Sequence, residues 1–149
     1  MKKWMAWICP GLAALAADWA VKTFLSDTEA VLIPGVIALQ PARNTGMALG
    51  LMQGNALLIA GVSLALAALC VFLLRGTRVT GMGRFGLSLI AGGALGNLWD
   101  RLALGSVRDM FELLFVDFYV FNAADVAVVT GVILCAVSLL FRPRDWSKK

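Results

Sequence analysis

The stretch from Ala56 to Leu74 constrains the fold most, because it holds 19 consecutive residues without a charge. At about 1.5 Å per residue, a helix of this length nearly spans the hydrocarbon core of a bilayer, which is about 30 Å thick. The composition agrees, since 60% of the residues are hydrophobic, 15% are charged and the mean hydropathy is +0.85. About a quarter of the residues in a soluble domain are charged. The sequence therefore predicts a single membrane-embedded domain.

Three shorter apolar runs predict three more spans. They cover residues 4–17, 85–99 and 126–141. The first run also resembles a secretory signal, because it follows a basic start. We favour a span there, since more spans follow and an even number fits the charge pattern below. The predicted transmembrane helices lie at about 4–22, 55–75, 83–101 and 122–142.

The basic residues predict the orientation of these spans. If both termini are cytoplasmic, nine of the 13 Lys and Arg residues lie inside together with one acid, Asp145. An excess of Lys and Arg in cytoplasmic loops is the usual topology signal. The nine are Lys2, Lys3, Arg75, Arg78, Arg84, Arg142, Arg144, Lys148 and Lys149. Because topology accounts for the net charge of +4, we predict no nucleic-acid partner.

The two longer connections are predicted to lie outside the membrane, on the extracytoplasmic face. Residues 23–54 contain two prolines and several β-branched residues, which predict an irregular β-hairpin that forms a cradle. Residues 102–121 mix charged and apolar residues, which predicts a short interfacial helix followed by an extended FVDFYVF piece. The predicted fold class is an all-α membrane protein with four transmembrane helices, a small extracytoplasmic β-cradle and a short interfacial helix, in one domain of residues 1–149.

Histidine is absent, and the three cysteines lie singly in apolar runs. HExxH zinc sites and the Ser-His-Asp and Cys-His catalytic groups all need histidine, and no two cysteines have CxxC spacing. We therefore predict no metal and no other cofactor. The remaining candidate groups are carboxylates, or a serine with a lysine. Ser26 follows Lys22 by four residues, but a loop serine beside a snorkelling lysine is the simpler interpretation.

Polar residues recur at the outer ends of three predicted spans. They are Asp18, Asn97, Asp100 and Asp125. The spans are short for a bilayer, so these groups should lie at or below the outer lipid boundary, where ionisable side chains usually face a protein interior. Two aspartates that are shielded together cannot both ionise easily. Such a pair can activate a water molecule and protonate a departing amine, which predicts peptide hydrolysis.

Each of these residues also fits a purely structural role. Asn122 and Asp125 fit the N-cap and N3 positions of a helix, and Asp18 and Lys22 fit an ion pair one turn apart. The remaining structural roles are an Asp100–Arg101 ion pair, close helix packing at Gly92 and Gly96, a turn at residues 44–46, and solvated charges at Glu112 and Asp117. From the residues alone, a partner for Asp125 cannot be chosen among Asp100, Asp109 and Asp117.

Five motifs resemble those of one family and occur in its order. They are DWAVK (18–22) for D-x-x-x-K, RNTGMALGL (43–51) for N-x-G-x-A, GGALGNLWDR (92–101) for GGAxGNxxDR, GSVRDM (105–110) for G-x-V-x-D-F and FNAAD (121–125) for F-N-x-A-D. The family is lipoprotein signal peptidase, the aspartic signal peptidase II of bacteria. Any one motif is weak, but five in order on a four-span frame are specific.

The resemblance implies an intramembrane aspartic endopeptidase with the catalytic dyad Asp109 and Asp125. The residues that it implies in supporting or substrate-binding roles are Asn122, Asn97, Arg101, Asn44, Asp18, Gly46 and Asp100. It also implies that the substrate is a prolipoprotein, cut before a cysteine that carries diacylglycerol, and that globomycin inhibits the enzyme. The implied setting is the bacterial cytoplasmic (inner) membrane, where a multi-pass monomer in contact with membrane lipids holds its site at the outer face.

This chain departs from the family pattern at several positions. Arg108 stands where an apolar residue is usual, and Met110 stands where Phe is commoner. Met47, Leu49-Gly50 and Val126 also differ from the usual residues. These changes leave the implied dyad intact. The alternative from another class is a small non-enzymatic membrane protein that carries lipid or peptide, in which the polar residues cap and pack helices.

Overall fold

The computed structural model describes residues 8–46, 54–76 and 79–146, which form four long helices and one small sheet. The helices are α1 (Cys9–Leu25), α2 (Ala56–Gly76), α3 (Gly81–Leu104) and α4 (Ala123–Phe141). The strands are β1 (Ala30–Ile33), β2 (Ile37–Asn44) and β3 (Val107–Leu113), and a short 3-10 helix, Pro143–Trp146, follows α4. Residues 4–7 of the predicted first span and residues 47–53 of the predicted cradle lie outside the described residues.

Two of the described helices, α2 and α4, are long and apolar enough to cross a membrane. The other two long helices carry buried charged residues in their second halves, Asp18 and Lys22 on α1 and Asp100 on α3. Large apolar side chains such as Val132 and Leu140 on α4 are exposed, and apolar surface of this extent favours lipid over water as the solvent. The mostly helical fold agrees with the sequence, while crossing by all four helices stays a prediction.

Helix α3 lies at the centre and packs against α1, α2 and α4. Glycines make the closest approaches possible. A Cβ at Gly92 would collide with the backbone of Gly11 on α1, and a Cβ at Gly96 would lie 2.5 Å from Asp18 Oδ2. Small residues at helix crossings let two backbones approach closely. Because lipid is as apolar as the helices, helix packing in a membrane depends on van der Waals contact rather than on the hydrophobic effect. The packing role predicted for these two glycines is confirmed.

The three strands form an antiparallel sheet in the order β1-β2-β3. Between β1 and β2 the chain turns at Gly35, whose φ of 72° lies in the left-handed region that favours glycine. The pairing of β2 with β3 is irregular between Leu39 and Ala42, and Pro41 lies within this irregularity. Proline has no N–H to donate, so a central strand accommodates it at such a bulge. The hairpin predicted in residues 23–54 is present as β1 and β2.

The predicted interfacial helix between residues 102 and 121 is wrong. Helix α3 continues to Leu104 and ends at Gly105, whose φ is 72°, and none of residues 105–122 is helical. The next segment is strand β3, which fills the open edge of β2. The physical reason is that an exposed strand edge leaves N–H and C=O groups unpaired, and pairing them outweighs the weak helical pattern of this segment. Residues 114–120 then form turns and irregular chain before Phe121.

The 3-10 helix packs against the bundle at the end where α3 begins and α4 ends. Asp145 Oδ1 accepts a hydrogen bond from the Thr80 hydroxyl (3.1 Å), and its Oδ2 accepts one from the Ser138 hydroxyl (3.1 Å). The Trp146 indole Nε1 donates to Ser138 Oγ at 3.0 Å, and the Thr80 N–H donates to the Asp145 carbonyl at 2.9 Å. We call these four residues the clasp. It joins the N-terminus of α3 to the last turn of α4.

Candidate active site

Strand β3 and a bridge from Phe121 bring two distant aspartates together. Phe121 pairs with Phe111 in an antiparallel bridge, with N–H to C=O distances of 2.9 and 3.0 Å in the two directions. The Met110 N–H also donates to the Phe121 carbonyl at 3.0 Å. These bonds fix the start of α4 beside β3. Asp109 on β3 and Asp125 in the first turn of α4 therefore lie in neighbouring segments.

Asn122 caps helix α4 in the way that the sequence predicts. Its side-chain oxygen accepts a hydrogen bond from the Asp125 N–H (2.9 Å), and Asp125 Oδ2 accepts one from the Asn122 N–H (3.2 Å). This reciprocal arrangement is a capping box, which satisfies two backbone donors that a helix start leaves open. The cap fixes the position of the Asp125 carboxylate relative to the backbone.

The same asparagine also contacts the second aspartate. Its Nδ2 donates to Asp109 Oδ1 at 2.6 Å and to Asn97 Oδ1 at 3.1 Å. Asn122 is fully buried, so its bonds are shielded from water. The capping role and a role in the site are therefore not alternatives, because one side chain performs both.

Two further asparagines complete the contacts of the carboxylates. Asn44, at the end of β2, donates from Nδ2 to Asp109 Oδ2 at 3.0 Å. Asn97, on α3, donates from Nδ2 to Asp125 Oδ1 at 2.7 Å. Neither aspartate makes a salt bridge in the part of the chain that the structure describes. The two negative groups are thus held by neutral amide and backbone donors.

The Asp109 carboxyl is 2% exposed, and this burial has an electrostatic consequence. Burial disfavours the ionised form and, together with the charge of Asp125, raises the pKa of Asp109 to about 6. The bonds from Asn122 and Asn44 oppose the rise without cancelling it. Near pH 6 a proton therefore exchanges on and off this carboxyl, which suits a group that must both accept and donate protons.

Two other aspartates at this end are neutralised by cations. Lys22 Nζ lies 2.8 Å from Asp18 Oδ2 and 3.4 Å from Asp100 Oδ2, and Arg108 Nη2 lies 2.8 Å from Asp100 Oδ1. Asp18 Oδ1 also accepts a hydrogen bond from the Ala124 N–H (2.8 Å), so it ties α1 to the first turn of α4. The Asp18–Lys22 pair predicted from the spacing is confirmed. The lysine is turned toward these acids and toward Asn97 Oδ1 (2.9 Å), which argues against the Ser26–Lys22 pair.

Arg101 does not form the ion pair with Asp100 that its sequence position suggests, because Asp100 is occupied by Arg108. Its guanidinium instead donates to two backbone carbonyls, at Gly46 (3.1 Å) and at Asn97 in its own helix (3.4 Å). The Gly46 N–H in turn donates to Asn44 Oδ1 at 2.9 Å. Arg101 therefore fixes the backbone at Gly46, and the turn predicted at residues 44–46 contributes to holding Asn44 against Asp109.

The sequence did not predict the contacts that Lys22 and Arg108 make with the buried aspartate Asp100. Lys22 carried a signal, since it lies one helical turn after Asp18. Arg108 carried none, because its partner Asp100 lies on α3 and the chain reverses at Gly105 between them. Among the described residues, no group of three His, Cys, Asp or Glu side chains is placed to hold a metal ion.

Comparisons with known proteins agree on one family. Residues 11–141 match the model of the family described as signal peptidase (SPase) II. A lipoprotein signal peptidase of Clostridioides difficile is 37% identical over 88% of each chain, and one of Rhodopseudomonas palustris is 37% identical over 84% of this chain and 85% of that one. A solved bacterial membrane enzyme, determined by the in meso method at 2.3 Å resolution, superposes with a TM-score of 0.84 at 25% identity, covering 97% of this chain and 93% of that one.

Proposed function

The chain belongs to the signal peptidase II family, and on that premise we propose that it is an aspartic endopeptidase whose catalytic dyad is Asp109 and Asp125. Family membership identifies the activity as removal of the signal peptide from prolipoproteins, and it favours a peptidase over a lipid or peptide carrier. The catalytic type, the residues and the cleavage position are the proposal. Cleavage occurs before the cysteine that carries diacylglycerol.

The observation that carries the proposal is the bridging position of Asn122. Its side chain donates to Asp109 Oδ1, and its backbone N–H donates to Asp125 Oδ2. One buried residue thus holds two carboxylates from different segments at one place. Two acids that lie together without a salt bridge to either, within the described part of the chain, are costly in such a site, and a cost of this kind is typical of catalytic carboxylates.

The pair supplies both proton transfers that peptide hydrolysis needs. One carboxylate accepts a proton from water as the water oxygen attacks the scissile carbonyl carbon, and the partner carboxyl donates its proton to the carbonyl oxygen. The C–N bond then breaks as the first carboxyl passes its proton to the departing amine, and one hydroxyl of the tetrahedral intermediate returns a proton to the second carboxylate. The products are a new carboxyl group on the signal peptide and a free amine on the lipidated cysteine. Either aspartate can be the first base, because a shared proton belongs to the pair.

The supporting residues act by holding these carboxylates and the chain around them. Asn97 and Asn44 each donate to one aspartate, which fixes the planes of the carboxyl groups. Arg101 donates to the Gly46 carbonyl and so holds the turn that keeps Asn44 against Asp109. Groups that are fixed before the substrate arrives avoid the cost of reorganisation during the reaction.

The membrane setting follows from the same proposal. All four helices cross the bacterial cytoplasmic membrane, both termini are cytoplasmic, and the dyad lies at the outer face, where the diacylglycerol of the substrate anchors the scissile bond. The protein acts as a monomer among membrane lipids, and globomycin inhibits it. A cysteine placed by Asp27→Cys, in a background without native cysteines, should react with a membrane-impermeant maleimide added to intact cells, whereas one placed by Arg144→Cys should not. The reverse pattern would contradict this orientation.

The dyad is tested with purified protein in lipid vesicles and a diacylglyceryl-modified prolipoprotein. Asp109→Asn and Asp125→Asn should each lower kcat by about a thousandfold or more, since each removes a proton-transfer group. Asp117→Asn is the matched control, because this exposed acid lies in the same connection as Asp109 and should keep wild-type activity. Near-normal cleavage by either dyad variant would refute the assignment, provided that thermal unfolding shows a folded protein.

A further inference from the structure

Lys22 is the centre of the charge cluster beside the dyad. Its side chain is 1% exposed, and its ammonium contacts Asp18 Oδ2 (2.8 Å), Asn97 Oδ1 (2.9 Å) and Asp100 Oδ2 (3.4 Å). The contacts with Asp18 and Asn97 are hydrogen bonds, whereas the contact with Asp100 is a longer ion pair. Asp100 and Asn97 therefore attract the same ammonium, and a shift of the ammonium toward Asp100 would draw it away from Asn97.

Asn97 links Lys22 to the dyad, because its side-chain amide contacts both Lys22 and Asp125. An amide has an accepting oxygen and a donating nitrogen, and the Lys22 ammonium can only donate. The oxygen of Asn97 must therefore face Lys22 and its nitrogen must face Asp125, and the latter contact is 2.7 Å long. A positive charge at the amide oxygen also strengthens the hydrogen bond that the amide N–H donates to Asp125, because hydrogen bonds in a chain polarise one another.

Asp100 competes for the same lysine. It is 1% exposed, and a buried carboxylate without a nearby cation would attract the ammonium strongly. Arg108 removes this competition through three hydrogen bonds to Asp100, from its backbone N (3.1 Å), from Nε (3.3 Å) and from Nη2 (2.8 Å). Its Nη1 also donates to the Lys22 carbonyl at 3.3 Å. With Arg108 present, two acids face two cations.

We propose that Arg108 is a positioning residue for the reaction: it neutralises Asp100, which leaves the Lys22 ammonium to Asn97 and so fixes the Asn97 amide against Asp125. This role rests on the proposed function, and it applies to the arginine that replaces the apolar residue usual in the family. The hydrogen bonds of the Arg108 side chain go to Asp100 and Lys22 rather than to the dyad. Its effect therefore reaches the reaction through Asp100, Lys22 and Asn97.

The test compares kcat and KM of four variants in lipid vesicles with the diacylglyceryl-modified prolipoprotein. Arg108→Met should lower kcat about tenfold with KM changed less than about threefold, because a displaced catalytic group slows the chemical step. Removing the competing acid as well, in the double variant Asp100→Asn/Arg108→Met, should recover most of the lost kcat. Arg108→Lys loses the forked contact but keeps the positive charge that neutralises Asp100, so its kcat should lie within about threefold of the wild type. Arg43→Met is the matched control, since Arg43 is exposed and pairs with Arg108 across the sheet.

The double variant separates this role from simple anchoring of β3. If Arg108 only anchored the strand, the loss of Asp100 would not restore activity, so an unrecovered double variant overturns the proposal. Wild-type kcat in Arg108→Met overturns it too. If Arg108→Met does not fold, Arg108→Lys decides: kcat near the wild type supports the proposal, and a tenfold loss contradicts it. The proposed function is judged separately, because it fails only if the wild type does not cleave or if the dyad variants do.

Discussion

The two ends of the bundle both hold aspartates in hydrogen-bond clusters, and the clusters differ in charge. At the clasp, one carboxylate, Asp145, receives neutral hydroxyl donors from Thr80 and Ser138. At the site end, four aspartates meet. Asp18 and Asp100 are paired with cations, whereas Asp109 and Asp125 are held by amide and backbone donors. Within the described part of the chain, neither Asp109 nor Asp125 makes a salt bridge. The site-end cluster therefore holds two unneutralised carboxylates together, whereas the clasp holds one carboxylate.

This difference indicates what each cluster does. A lone carboxylate that accepts two hydroxyl bonds joins neighbouring segments and contributes to stability. Two adjacent carboxylates that no salt bridge neutralises cost stability and gain the ability to share a proton. Variants at the two ends should therefore separate cleanly, with clasp variants changing stability and site variants changing activity.

The largest difference between effects on stability and on activity is expected at Asn122, because this residue both caps α4 and donates to Asp109. Asn122→Ala removes the cap of α4 and the donor to Asp109, so kcat should fall about a hundredfold, and the free energy of unfolding should fall by about 1 kcal/mol or more. Asn122→Ser keeps an oxygen that can cap the helix but has no amide to reach Asp109. It should recover the stability and not the activity. Recovery of both in Asn122→Ser would show that capping alone matters.

A smaller effect is expected from glycines that contact the two clusters. Gly96→Ala places a Cβ against Asp18 Oδ2, and Gly83→Ala places one 2.8 Å from the Trp146 ring. Both should lower the free energy of unfolding by about 1–3 kcal/mol, because overpacking forces neighbouring atoms to shift. Only Gly96→Ala should also lower kcat, since Asp18 holds Lys22. Thermal unfolding and cleavage assays check this, and equal loss of kcat in both variants would contradict the division between the ends.

The last effect concerns stability alone, through its dependence on pH. Because burial raises the pKa of Asp109 to about 6, the folded protein binds a proton that the unfolded chain has already released between about pH 4 and 6. The wild type should therefore lose stability over this range as the pH rises, and Asp109→Asn should lack that loss. The Tm of the variant minus that of the wild type should increase from pH 4 to about pH 6 and then level off. A difference that stays flat or decreases would contradict the burial of a proton-binding group.

The helices and the cap were predictable from sequence because their signals are local. Uncharged runs of helix length predict α2 and α4, and Asn122 followed by Asp125 predicts the cap. The choice of Asp109 came from the family resemblance, because no local rule relates a strand residue to a helix start sixteen positions later. The Phe111–Phe121 bridge that makes this connection is a long-range backbone pairing.

Strand β3 and the role of Arg108 could not be predicted for a related reason. The segment VRDMFEL mixes charged and apolar residues as an interfacial helix would, and its strand conformation depends on the open edge of β2. Arg108 reaches Asp100 only because α3 ends at Gly105 and the chain reverses there. Both features are set by tertiary pairing, which spacing along the chain does not reveal.

The central claim is that Asp109 and Asp125 act as one unit. The most direct measurement is the single-turnover cleavage rate of Asp109→Asn, Asp125→Asn and the double variant on the same diacylglyceryl-modified prolipoprotein. When two groups share one proton and one water, the effects of removing them are not additive. The cleavage rate of the double variant should therefore fall by no more than about the loss seen in either single variant. Losses that multiply in the double variant, or a single variant that still cleaves at a near wild-type rate, would contradict the account.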